Sequence, residues 1–315
     1  MKPAFADVES AAARIAPHAQ VTPVLRSRSL DEMAGCTIAF KCENFQRAGA
    51  FKFRGACNAV WALSDDSARR GVVTHSSGNH GAALALAART RGIAAHVVVP
   101  EGAVAAKVAA IRTYGATLHV CAPTLAARDE AAARVARETG ATLVHPFTDS
   151  NVIAGQGTAT LELLREAGEL DAVIAPVGGG GLVCGSTIAA KGIFPQTRIF
   201  AAEPEGAADA YASLRRGERV TDIVPDTICD GLRATFGQIN FDLMREYAIE
   251  VLPVSDAQTI AAMRLIFERM KIVIEPSSAV VLAAILRHRE RFAGLRVGAI
   301  VSGGNVDLDR LPWLS

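Results

Sequence analysis

The chain is 315 residues long, half of them hydrophobic, with 33 basic and 32 acidic side chains and a formal net charge of +1. A chain of this length buries a sizeable core in one large or two modest domains, and its balanced charge supplies no field for gathering nucleic acid or an anionic membrane. The expected partner is therefore a small molecule, with no nucleic acid and no membrane.

At the N-terminus Asp7 and Glu9 interrupt the apolar run that a signal peptide needs, and no segment reaches the roughly 20 apolar residues of a membrane span. The six cysteines (Cys36, Cys42, Cys57, Cys121, Cys184 and Cys229) include no CxxC pair and read as reduced core residues. Both features point to a cytoplasmic protein.

Apolar, β-branched runs predict strands at 37–43, 71–76, 94–100, 116–122, 171–177, 198–204 and 296–303. Alanine-rich stretches of helical period between and after them predict helices near 52–65, 79–91, 104–114, 124–138, 155–167, 181–192, 256–270 and 276–289. This alternation is α/β, and several strands lack polar alternation, as parallel strands covered on both faces do. No repeat or Pro/Ser-rich linker marks a boundary, so two domains would be interleaved rather than strung in series.

In such sheets chemistry sits where strands end and helices begin, and four junctions stand out. In "ENFQRAGAFKFRGACNAV", Lys52 lies among Gly49, Ala50, Phe51, Phe53 and Gly55. A lone lysine there would snorkel to solvent, whereas a buried one has a lowered pKa and serves as nucleophile or base. "THSSGNHGAALA" brings Ser76, Ser77, Asn79 and His80 to a helix start, where hydroxyls, an amide and free N–H groups suit a carboxylate or a phenolic oxygen, beyond the single residue an N-cap needs.

"PVGGGGLVCGS" runs a strand through Gly178, Gly179, Gly180 and Gly181 into a helix, a backbone N–H cradle fit for one phosphate. Its spacing is neither GxGxxG nor GxxxxGKS/T, which argues against a dinucleotide or a nucleoside triphosphate. "AIVSGGNVD" delivers Ser302 to a glycine-bounded turn, where a hydroxyl can hydrogen-bond a ring nitrogen without charging it. A phosphate cradle, a ring-nitrogen partner and an amine are the attachment points of pyridoxal 5'-phosphate.

These four motifs in this order resemble the fold-type II pyridoxal-phosphate enzymes, and within them the serine/threonine dehydratase and serine racemase branch. The loops read SSGNH and GGGG rather than the TSGNT and GTGG of cysteine-synthase-like members. The resemblance implies a two-domain, three-layer αβα fold of the tryptophan synthase β-like kind, with parallel-rich twisted sheets. A large cofactor domain would comprise 1–67 and 150–315, and a small mobile domain 68–149 would carry the substrate-carboxylate loop.

By the same resemblance Lys52 is the Schiff-base lysine, flanked by Phe51. Gly178 to Gly181 and the N–H of Leu182 hold the phosphate, Asn79 contacts the ring hydroxyl and Ser302 the pyridine nitrogen. Ser76, Ser77, Asn79 and His80 grip the substrate carboxylate, with Ser77 as the opposite-face acid/base of racemases, and Arg128 lies near the substrate's distal end. Glu203, the carbonyl of Ala207 and Asp209 match a divalent-cation site for Mg2+, Ca2+ or Mn2+. A homodimer is implied as well.

The lysine motif departs from the family's TGSFK pattern: Ala48 and Ala50 stand where hydroxyls are usual. The chain stops soon after "SGGNVDLDRLPWLS", so the C-terminal regulatory domain of biosynthetic threonine dehydratases, and feedback control by isoleucine, are not expected. The implied reaction is β-elimination from a hydroxy amino acid to a 2-oxo acid and ammonia. L-threonine and L-serine rank first as substrates; 3-hydroxyaspartate dehydration and serine racemisation follow. The competing readings are a non-catalytic binding protein for a phosphorylated ligand and a nicotinamide-dependent oxidoreductase, the latter opposed by the missing GxGxxG.

Overall fold

The strand Thr37–Cys42 alternates its burial between two cores: Ile38 and Phe40 belong to one apolar cluster and Ala39 to another. The strand Ala172–Pro176 does the same, with Ile174 on one side and Val173 and Ala175 on the other. Apolar residues on both faces are the signature of a sheet sandwiched between helices, and that is the observed architecture. The computed structural model describes residues 1–103 and 105–314. Val104, where the expected helix 104–114 begins, and Ser315, the end of the expected large domain, lie outside the described residues.

Among the described residues the strands are β1 (Val24–Leu25), β2 (Thr37–Cys42), β3 (Val72–His75), β4 (Ala95–Pro100), β5 (Thr117–Cys121), β6 (Thr142–Leu143), β7 (Ala172–Pro176), β8 (Arg198–Pro204), β9 (Glu250–Val254) and β10 (Arg296–Val301). They form a six-stranded sheet in the order β1-β2-β10-β7-β8-β9 and a four-stranded sheet in the order β5-β4-β3-β6. Every pairing is parallel except β1 with β2.

The seven predicted strands are all present. β1, β6 and β9 are additional: two residues each carry no pattern in β1 and β6, and Pro253 interrupts β9, which survives as an edge strand. The predicted helices form too, whereas Phe5–Ile15, Arg28–Ala34, Asp209–Arg216 and Gln238–Glu246 had no sequence counterpart. The predicted helix 52–65 divides at Leu63 into Lys52–Ala62 and Asp65–Arg69, the second capped by Ser64.

The strand order places the site. β2, β10 and β7 are adjacent and parallel, so the chain leaving their carboxyl ends emerges in one place. β2 leads to the Lys52 loop, β10 to Ser302 and β7 to the glycine run. In the second sheet β3 leads to the SSGNH turn and its neighbour β6 to His145, Pro146 and Phe147.

Candidate active site

Lys52 is the first residue of the helix Lys52–Ala62. The loop before it is pinned to the end of β10: Ala50 bridges Gly303, and the Phe51 N–H donates to the Ser302 carbonyl at 2.9 Å. The Lys52 Nζ donates to the Pro146 carbonyl at 3.0 Å and sits 5.1 Å from the Phe51 ring centre. Burial lowers the amine to a pKa of about 8, with the Glu275 carboxylate acting in the opposite sense.

The acids around the neighbouring Arg54 are already committed. Two residues on, fully buried Arg54 meets Glu43 at 2.7 Å and Glu162 at 2.7 Å, and Lys41 takes the second oxygen of Glu162 at 2.7 Å. Thr22 completes the cluster, donating its hydroxyl to Glu43 and accepting from Lys41 at its carbonyl, both at 2.6 Å. Two cations and two anions neutralise one another there, so neither carboxylate is left to hold Lys52 charged.

The glycine run packs where side chains cannot. A Cβ on Gly179 would lie 2.3 Å from the Phe147 ring, and Gly180 has φ +95° with Phe236 and Asn240 within 2.7 Å of any Cβ. Gly180 caps the helix Gly181–Ile193, whose first N–H groups have no intrahelical acceptor. This is a backbone cradle for an anion. Ser302 is buried, with its hydroxyl 3.0 Å from that of Ser278.

On the facing side, Asn79 opens the helix Asn79–Arg91; its Nδ2 lies 3.0 Å from each oxygen of buried Glu275, and its Oδ1 accepts from Asn305 at 3.0 Å. Two histidines, His80 and His145, feel the Lys52 charge, and His75 packs edge-on against His145; burial disfavours the charged form of all three. Burial lowers His145 to about 4 and pushes His80 well below its ordinary value, with the Lys52 charge adding to both. His75 is lowered by burial and pulled back by Asp129, 3.4 Å from its Nε2. Val144's backbone lies near the His80 ring, but neither ring nitrogen finds a well-formed hydrogen bond among the described residues.

The structure brings Lys52, Phe51, Asn79, His80, the glycines 178–181 with Leu182, and Ser302 into one neighbourhood. Ser76 and Ser77 lie in the turn between β3 and the Asn79 helix; no side-chain hydrogen bond joins either to Lys52 among the described residues. Arg128 stands apart on the helix Leu125–Thr139, close enough to lower the His75 pKa, and its buried Nε has no hydrogen-bond partner among the described residues.

Glu203 and Asp209 lie beyond the glycine run. Both are buried; Glu203 accepts from the N–H groups of Ala210 and Tyr211 at 2.9 Å, and Asp209 from that of Phe236 at 2.7 Å. Burial raises Asp209 to about 6 and Glu203 well above the usual carboxylate range. Among the described residues no third acid, histidine or cysteine joins them; Ala207 lies in the 3-10 turn Glu205–Ala207 just before Asp209.

Sequence reasoning missed Glu275, Asn305, Ser278 and the Pro146–Phe147 turn. Glu275 precedes Pro276 and reads as an ordinary helix entry. Asn305 lies in the quoted AIVSGGNVD motif, but only the fold carries it to Ala48, whose carbonyl accepts from its Nδ2 at 2.8 Å. Ala48 itself is left-handed, with φ 57°, a conformation that costs a non-glycine residue about 1–2 kcal/mol.

Comparisons with known proteins place the whole chain among relatives of one family. The chain is 48% identical over 311 residues to beta-hydroxyaspartate dehydratase of Paracoccus denitrificans, covering 99% of each. Maize serine racemase superposes with a TM-score of 0.96 at 45% identity, over 100% of this chain and 97% of that one. A threonine deaminase from T.th. gives 0.92 at 42%, over 97% and 99%. The family described as "Pyridoxal-phosphate dependent enzyme" matches residues 15–303, and the chain belongs to that family.

Proposed function

We propose that the protein is a pyridoxal-phosphate-dependent ammonia-lyase that removes the hydroxyl and the amine of a 3-hydroxy amino acid. The observation that carries the reading is Lys52: an amine lowered to about 8 by burial, at the meeting of β2, β10 and β7. The residues suit the cofactor. Gly179 and Gly180 leave a cradle that any Cβ would fill, Ser302 offers a neutral hydroxyl, and Asn79 an amide.

Bound pyridoxal phosphate supplies an aldehyde that condenses with amines and a ring that delocalises the electron pair left at Cα. Lys52 would hold the cofactor and, once released by the substrate amine, would take the Cα proton as a neutral general base. Ser302 would donate a hydrogen bond to the ring nitrogen without charging it, and the β-hydroxyl would leave as water, taking the proton that Lys52 removed from Cα. The N–H groups of Gly178 to Leu182 would hold the phosphate. Ser76, Ser77, Asn79 and His80 would hold the substrate carboxylate, His80 through a ring whose charged form burial disfavours. The enamine released hydrolyses to a 2-oxo acid and ammonia. Ser77 returning a proton to the opposite face of Cα would give racemisation instead.

Arg128 favours a substrate with a second carboxylate. Its Nε is buried without a partner among the described residues, next to the histidine that leads into the SSGNH turn. We therefore place 3-hydroxyaspartate ahead of L-threonine and L-serine. Ammonia and 2-oxo acid release from L-threonine, L-serine, D-serine and both 3-hydroxyaspartate diastereomers tests the reading, and no release from any of them would sink it. Arg128→Leu should lower kcat/KM on 3-hydroxyaspartate about 10- to 100-fold, the worth of a charge-assisted hydrogen bond, and leave L-serine within about threefold. Equal losses on both would remove the distal-carboxylate role.

Residues 68–149 form the mobile part in this reading, closing the SSGNH turn over substrate and excluding water. The chain acts as a homodimer; Phe45 and Val273, both exposed and lining one cavity, suit such an interface. Glu203, Ala207 and Asp209 hold a divalent cation, supported by two buried carboxylates whose negative charge burial opposes. Adding Mg2+ should then raise the melting temperature and a chelator lower it, as a ligand of the native state must; no response to either would withdraw the cation.

A further inference from the structure

The Asn79 amide is held from both ends. Its Nδ2 sits 3.0 Å from each oxygen of Glu275, and its Oδ1 accepts from Asn305, whose Nδ2 also donates to Ala48. A carboxylate accepts and does not donate, so Glu275 dictates which end of the amide faces it. The two oxygens of one carboxylate subtend too narrow an angle at that nitrogen to take both amide hydrogens. One N–H is therefore shared across the carboxylate, and the second remains for another acceptor.

Glu275 is itself fixed. It is 2% exposed, its N–H donates to the Gly303 carbonyl at 3.0 Å, and its own carbonyl accepts from Ser278 at 2.9 Å. Gly303 adjoins Ser302 and bridges Ala50, two residues before Lys52. The carboxylate also acts on the Lys52 amine, favouring its charged form against burial. One side chain thus touches the orientation of Asn79 and the charge of Lys52.

We propose that Glu275 is a positioning residue for the cofactor: it sets the Asn79 amide so that its remaining N–H faces the ring oxygen, with Asn305 holding the other end. This rests on the pyridoxal-phosphate reading. Glu275→Gln keeps the shape but replaces one of two acceptor oxygens with a donor NH2, so the side chain no longer dictates which end of the Asn79 amide faces it.

Apo-protein titrated with pyridoxal phosphate, followed by absorbance, tests this with wild type, Glu275→Gln, Asn79→Ala and the double variant. Expected are an affinity about tenfold or more weaker for Glu275→Gln, a visible band whose pH titration shifts from that of wild type, and a double variant no weaker than Asn79→Ala alone. Unchanged affinity and band in Glu275→Gln, or losses that add in the double variant, would overturn the proposal. Should Glu275→Gln not fold by circular dichroism, Asn305→Ala decides instead: it must weaken the cofactor too, and an affinity equal to wild type would overturn the proposal. A wild type that binds no pyridoxal phosphate would fail the cofactor reading itself.

Discussion

Lys52→Ala should abolish both the yellow colour of the cofactor-loaded protein and turnover on every hydroxy amino acid, while leaving the fold intact. The side chain donates one hydrogen bond, to Pro146, and its charge is disfavoured where it sits, so the fold does not depend on it. Stability carries a second signature. The amine titrates near 8 in the folded protein against an ordinary value of 10.5. Between those values the unfolded chain binds more protons than the native one, so this residue's contribution to stability rises with pH across that window. Apo wild type should therefore gain stability relative to apo Lys52→Ala as pH is raised from about 8 to about 10.5, measured by urea unfolding. A difference that stays flat, or falls, would mean that Lys52 is not buried as described.

Arg54→Met should be the most destabilising single change outside the site. Arg54 serves Glu43 and Glu162 at once from a fully buried position, and its removal leaves two carboxylates against Lys41 alone. Breaking a buried pair by deleting one partner costs about 3–5 kcal/mol. Because Arg54 joins the Lys52 helix to the turn after β2 and to the helix Ser150–Ala167, the loss should appear as a lower urea midpoint with an unchanged slope. A loss under about 1 kcal/mol would place the cluster among the weak surface pairs.

Much of this was legible along the chain. β7 and β10 announce themselves because both faces are apolar, and the glycine run because four consecutive glycines have few structural uses. What escaped depends on distance in space. Glu162 lies 108 residues from Arg54, and Glu275 lies 196 from Asn79; no local pattern links such pairs. The short strands β1 and β6 draw their existence from a neighbour's ladder rather than from their own residues. The bare lysine question in RAGAFKFRG resolves in the same way: Arg54 and Lys41 occupy Glu43 and Glu162, and Glu275, brought in from far along the chain, only partly offsets the effect of burial on Lys52.

Borohydride reduction of the pyridoxal-phosphate-loaded protein, followed by peptide mass spectrometry, is the most direct test of Lys52 as the cofactor's attachment point. The predicted result is loss of the visible band with a single phosphopyridoxyl label on Lys52. A label on another lysine, or none on a protein that had taken up the cofactor, would contradict it.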